Sequence, residues 1–217
     1  MVAEISMDRR ECTTLVIACQ MLEDEISAIV DLENLEYDII WVDRGLHEVP
    51  ATLKNKLQEL IDEHELLFDE IILCFGACGN ALQGLKSKTA RLASFRHDDC
   101  IRMLLPEGVN MRGLYFTAGW LRSDRFIGNE YKSFLQKHGK EKTDKVYKMI
   151  LREYRHLFLV DTGAYELKEY LSKAQETART LGLDFGIVTS RSVILHKLLT
   201  HQWDEDIRQV CPGHSFD

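Results

Sequence analysis

Apolar residues along this chain come in short, nearly continuous runs separated by longer stretches with helical spacing, and that alternation predicts an α/β fold. Thr14-Leu-Val-Ile-Ala-Cys19 is apolar and rich in branched side chains, as a strand covered on both faces requires. It gives way to a helix opening at Gln20–Ile26, with Glu23, Asp24 and Glu25 in the first turns, where the helix dipole favours negative charge. Tyr37–Val42 predicts a second strand, ending in Asp43-Arg-Gly-Leu-His47. Pro50 then opens a helix whose Leu53, Leu57, Leu60 and Ile61 recur at helical spacing. Ile71–Phe75 predicts a buried third strand running into a tight turn flanked by Gly76 and Gly79, with Cys78 at its tip.

The pattern continues to the end of the chain. Lys88–Phe95 is a weaker strand leading into Arg96–Ile101, where Asp98 or Asp99 caps a short helix through Leu105 and puts His97 and Cys100 near its start. Gly113–Trp120 reads as a strand ending in small residues. Residues 123–155 are charged and helical in pattern, with a break at Gly139, and form an outer helical layer or lid. Leu157–Gly163 is strand and turn, and Leu167, Leu171, Ala174, Ala178 and Leu181 make one face of a long helix that stops near Gly182. A strand at Asp184–Thr189, a helix from Ser192 to Leu199 and a last short strand at Ile207–Val210 lead to Cys211-Pro-Gly213. Strands alternating with helices need crossover connections. The expected fold is one α/β domain over 1–217, a parallel-dominated Rossmann-like sheet with helices on both faces. Two βα lobes around a cleft are its variant.

Composition narrows the partners. A chain of 217 residues, 45% hydrophobic and 29% charged, can bury a core of its own. The net charge of -8, without a dense basic cluster, argues against nucleic acid. The absence of a long apolar run or a signal-peptide layout argues against a membrane and for the cytoplasm. The six cysteines then read as thiols, ligands or nucleophiles rather than a disulfide framework.

The candidate chemistry follows from where these residues fall. Cys19, His47, Cys78, His97, Cys100, Asp161 and Cys211 all follow predicted strands, and in open α/β sheets ligands collect beyond the carboxyl ends of the strands. Cysteine and histidine together suit zinc or an iron–sulfur cluster, with Cys19, Cys78, His97 and Cys100 as the metal set. Asp161 and His47 are the candidate proton-handling groups. Gly76, Gly79, Asn80 and Thr117, in turns of small residues, leave room for a small-molecule ligand. Each residue has a plainer reading. Cys74 lies inside a strand and Cys12 near the chain start, both as inert thiols; Asp161 caps a helix; Trp41, Trp120 and Trp203 pack.

Taken in order, Cys19, Gly45-Leu-His47 with Pro50, Gly76–Asn80, His97-Asp-Asp-Cys100, Thr117–Trp120, Asp161-Thr-Gly163 and Pro212-Gly213 resemble an uncharacterised domain-of-unknown-function family. Its members often accompany corrinoid-dependent methyltransferases of the trimethylamine and glycine-betaine type in anaerobic microbes. The resemblance implies a shared site at Cys19, His47, Cys78, His97 and Cys100, and a corrinoid protein or methyltransferase as partner. It names no reaction. Cys74 departs from the family pattern, and the Asp-x-His-x-x-Gly arrangement through which many corrinoid domains supply a lower ligand is absent.

Three functions compete. The first is a metal-centred enzyme or accessory factor linked to corrinoid-dependent methyl-group metabolism. The second is a metal-free enzyme with Cys78 as nucleophile, activated by His97 and a helix N-terminus. In the third, a non-catalytic protein binds a small ligand or corrinoid for a methyltransferase, and the helical segment from Asp124 to Tyr154 presents acidic residues as its docking surface.

Overall fold

A computed structural model describes residues 13–77, 79–109 and 112–217, and within them every side chain but those of His47 and Glu48. In chain order the elements are β1 (Thr14–Cys19), α1 (Glu23–Glu33), β2 (Asp38–Val42), α2 (Pro50–His64), β3 (Glu70–Cys74), β4 (Arg91–Phe95) and β5 (Gly113–Phe116). They continue with α3 (Ala118–Arg122), α4 (Ile127–His138), α5 (Lys140–Ile150), β6 (His156–Asp161), α6 (Leu167–Leu181), β7 (Asp184–Thr189), α7 (Val193–Leu199) and β8 (Ile207–Val210). Tight 3-10 turns follow three of the strands, at Gln20–Leu22, Arg44–Glu48 and Cys100–Leu104.

The strands form two sheets. The first has the order β2-β1-β3-β4-β8, parallel through β4, with β8 antiparallel at its edge. The second is β5-β6-β7, wholly parallel. The fold is therefore mixed α/β and mostly parallel. β1 and β3 are buried along their whole length, which is why their sequences run apolar without alternation.

Alternate residues of the first sheet feed two cores. Leu15, Ile17, Ile71 and Leu73 face α2, packing on Leu53, Leu57 and Ile61. Val16, Ala18, Ile72 and Phe95 face α1 and α7, whose Ile26, Leu195 and Leu198 fill an inner layer that Tyr115 and Val160 of the second sheet close from the other side. One continuous core thus joins the two sheets. The second sheet's outer face packs on Ala174 and Ala178 of α6.

Three expectations change. The run Gly113–Trp120 is a strand only to Phe116, and α3 begins at Ala118. What changes next is the lid alternative: the helical segment folds as the expected pair, α4 and α5, broken at Gly139 (φ 76°). Its Tyr131, Tyr147 and Leu151 pack on Leu114, Leu181 and Leu183, towards the amino-terminal ends of β5 and β7, so the pair is an outer layer away from the strands' carboxyl ends. The third change is the direction of β8: Phe95 pairs with Ile207 and Leu92 with Val210. An antiparallel β8 carries Cys211 to the opposite edge, where it is exposed, and brings Asp206 to the carboxyl end of β4.

Candidate functional site

Around the end of β3 the backbone is folded as tightly as its glycines allow. A Cβ on Gly76 would lie 2.6 Å from the Cys100 nitrogen and 2.8 Å from the Asp99 carbonyl carbon, so only glycine lets the turns after β3 and β4 touch. The Ala77 N–H donates to the His97 carbonyl at 3.0 Å. Gly79 (φ 67°) and Asn80 (φ 69°) are both left-handed, and Gly79 abuts the Pro50 ring at the start of α2. The crests after β2, β3 and β4 are thereby locked together. Cys78, between Ala77 and Gly79, lies outside the described residues, as does the side chain of His47.

On the β4 side, the Asp99 carboxylate accepts the Ile101 N–H at 3.1 Å, the cap expected from the sequence, and Cys100 starts the following turn with 7% exposure. The His97 ring packs on Phe95 with centroids 4.9 Å apart, and its Nε2 lies 3.0 Å from Asp206 Oδ1. The Arg96 N–H donates to the Asp206 carbonyl at 2.9 Å, so the β4–β8 pairing fixes both members of this pair. A carboxylate on one ring nitrogen sets which nitrogen faces the other way.

A second group of residues forms the seam between the two sheets. Cys19, wholly buried, accepts the Met21 N–H at 3.4 Å, and burial pushes its thiol up to about 11; it is a neutral thiol at neutral pH. The turn after Cys19 is met by α3: a Cβ on Gly119 would lie 2.2 Å from the Met21 oxygen, and Arg44 donates to the Gly119 carbonyl at 3.2 Å. One turn along α1, Glu25 is 1% exposed. One of its oxygens accepts the Thr162 hydroxyl at 3.0 Å; the other has no partner among the described residues, and neither has the buried Thr117 hydroxyl. Burial raises the Glu25 carboxyl to about 7.

The expected site residues therefore divide. Gly76, Gly79, Asn80, His97 and Cys100 share the crest of β3 and β4. Cys19 and Thr117 belong to the seam, and Asp161 closes its own turn by accepting the Gly163 N–H at 3.2 Å. Cys19 packs in the core facing α2, while Cys100 packs with Cys74 in the inner core, on the other side of the sheet. Cys74 is fully buried and its thiol is pushed far up, as befits a small hydrophobe. Cys211 does not join the site. Among the described residues no group of three or more His, Cys, Asp and Glu side chains could hold a metal ion.

Sequence reasoning missed Asp206, Arg44 and the role of Glu25. Glu25 reads in sequence as one of three acidic residues that the helix dipole favours in the first turns, but it faces inward. Asp206 carries no signal except that it precedes a strand, because the direction of that strand is a tertiary property.

Among the described residues no helix is long and apolar enough to cross a membrane. The family model described as "Protein of unknown function (DUF1638)" matches residues 41–199. No curated protein and no solved structure matches the chain.

Proposed function

The chain belongs to the DUF1638 family of proteins of unknown function, and we propose that it is an enzyme using Cys78 as a nucleophile towards a small acyl, amide or methyl-bearing molecule. The observation that carries this reading is the pair His97 Nε2–Asp206 Oδ1 at 3.0 Å, on a turn bonded through the His97 carbonyl to the residue before Cys78. An imidazole held by a carboxylate through one nitrogen keeps the other for a thiol. In the proposed step Nδ1 takes the Sγ proton, and the sulfur lone pair forms the new S–C bond. The leaving group departs with its bonding pair and recovers the proton from the imidazolium, which Asp206 stabilises.

The test is the pH dependence of Cys78 alkylation in the wild type, His97→Ala and Asp206→Asn. The expected result is an apparent pKa below the ordinary thiol value of about 8.5, lost in His97→Ala and weakened in Asp206→Asn. A profile identical in all three proteins sinks the proposal.

A metal-centred reading, with zinc or an iron–sulfur cluster in a factor serving corrinoid-dependent methyl transfer, draws on the same pair, because carboxylates also orient metal-ligating imidazoles. The described residues supply no three-membered ligand set, so this reading leans on Cys78 joining His97 and Cys100. Metal analysis of protein purified without oxygen decides between the two: a stoichiometric transition metal favours the second, and its absence after reconstitution removes it. Co-purification of a corrinoid protein would support the proposed partner.

A further inference from the structure

On the opposite rim of the second sheet, a cleft of about 590 Å³ opens between α5, the end of α6 and the loop before β6. The segment expected to present acidic residues is basic in balance, with eight Lys and Arg against five Asp and Glu between 124 and 154. Five basic side chains, Lys140, Lys148, Arg152, Arg155 and Arg179, line the cleft, and its one acidic lining residue is Asp144. That carboxylate is already engaged by Lys140 Nζ at 2.6 Å and by the Tyr131 hydroxyl at 2.6 Å. Arg152 pairs with Glu153 at 3.2 Å. Lys148, Arg155 and Arg179 have no ion-pair partner among the described residues.

A plainer account covers part of this. Lys148 and Arg179 sit in the last turns of α5 and α6, where the helix dipole favours cations. It leaves Arg155 unexplained, because that residue is in a loop. The end of α6 is already closed, with the Gly182 and Leu183 N–H groups taking the Ala178 and Arg179 carbonyls. In a chain of net charge -8, gathering unpaired cations around one concavity costs mutual repulsion that an anion removes. The volume falls within the range of small-molecule sites, Tyr131 and Tyr147 wall it at 5% and 8% exposure, and guanidinium forks match phosphate and carboxylate oxygens.

We propose that this cleft binds a small phosphate- or carboxylate-bearing polyanion, at a site separate from the Cys78 edge. Titration calorimetry at low salt on the full chain, with ADP, pyrophosphate and citrate as separate probes, tests it. At least one probe is expected to bind with one site per chain. Arg155→Ala combined with Arg179→Ala should weaken that binding tenfold or more, as should Lys148→Ala to a smaller degree, while His97→Ala leaves it unchanged. Preference for the phosphates assigns the site to phosphate esters; preference for citrate assigns the same cations to a polycarboxylate. Failure of all three probes to bind at millimolar concentration, or binding indifferent to the cation variants, overturns the proposal. Because His97→Ala is read separately, that failure is distinct from failure of the Cys78 mechanism.

Discussion

At the carboxyl-terminal rim of the sheets the backbones themselves touch, with room for no methyl group at Gly119 beside the Met21 oxygen or at Gly76 beside the Cys100 nitrogen. At the amino-terminal rim side chains make joints as well: His201 reaches Glu70 at 2.5 Å, and the Tyr131 hydroxyl of α4 donates to Asp144 of α5 at 2.6 Å. Backbone contact fixes relative position to a few tenths of an ångström, which a reacting pair requires. Side-chain joints reach into solvent and respond to salt and pH. One rim is built to hold geometry, the other to meet charge.

The sharpest way to break that contrast is Gly119→Ala. Its new methyl carbon would meet the Met21 oxygen at 2.2 Å and the Met21 carbonyl carbon at 3.0 Å, both backbone atoms that no rotamer change can move aside. A loss of about 3 kcal/mol is expected on overpacking grounds, measured by urea denaturation. The contact lies on the turn that carries Cys19, so the Arg44 hydrogen bond to the Gly119 carbonyl should be disturbed with it. A loss under about 0.5 kcal/mol, the level of an ordinary surface change, would show the seam to be looser than the geometry implies.

Glu25 sharpens the same point through pH. Its folded value of about 7 lies above the ordinary 4.5, so the folded state holds this proton more tightly than the unfolded chain. The sign follows: stability from this group is greatest below about 4.5 and falls as pH rises towards 7, then stays level. The two values imply on the order of 3 kcal/mol across that window. Glu25→Gln keeps an acceptor for Thr162 and removes the charge. Its stability should therefore lack that decline, and denaturation midpoints at pH 5 and pH 8 in both proteins check it.

Most of the fold was legible from its apolar runs and from the glycines that end two of its helices, Gly139 and Gly182. The runs at Thr14–Cys19, Asp184–Thr189 and Ile207–Val210 are strands with the expected limits, and α6 ends where Gly182 adopts the left-handed conformation. Partnering was not legible. A hydrophobic run says that a strand is covered, without saying which neighbour it takes or in which direction. So the division into two sheets was only a variant, whether Cys211 reaches the site stayed open, and Asp206 was overlooked. At the site, Gly76 and Gly79 announced a tight turn, and the Asp99 cap could be read from composition. The inward aim of Glu25 could not, since three consecutive acids look alike until packing selects one.

At the amino-terminal rim, His201→Ala should have a smaller effect. Glu70 is 1% exposed, and Arg91 stands 3.6 Å from its second oxygen. Losing the imidazole leaves a buried carboxylate oxygen short of a donor, at about 1–2 kcal/mol. His201 also holds a left-handed backbone at φ 59°, so His201→Gly should recover about 1 kcal/mol of that loss. Thermal unfolding of the two variants side by side measures the difference. Equal losses would mean that the side-chain joint alone matters here.

The smallest effect, and the one that most directly separates the rims, is expected from Arg155→Ala and Arg179→Ala. Both side chains are exposed and lack ion-pair partners among the described residues, so neither removal should change stability by more than about 0.5 kcal/mol. The sign is the informative part. Arg155→Ala takes one cation from a cluster in which Lys148 remains unpaired, so at low salt it should raise the melting temperature slightly; Arg179→Ala also forfeits the favourable dipole at the end of α6 and should gain less. The gain should disappear as the ionic strength approaches about 1 M, where screening shortens to about 3 Å. A stabilisation that survives high salt would point to packing instead of charge. A destabilisation at low salt would mean that these arginines already have anionic partners, and the cleft would then be closed by the chain itself.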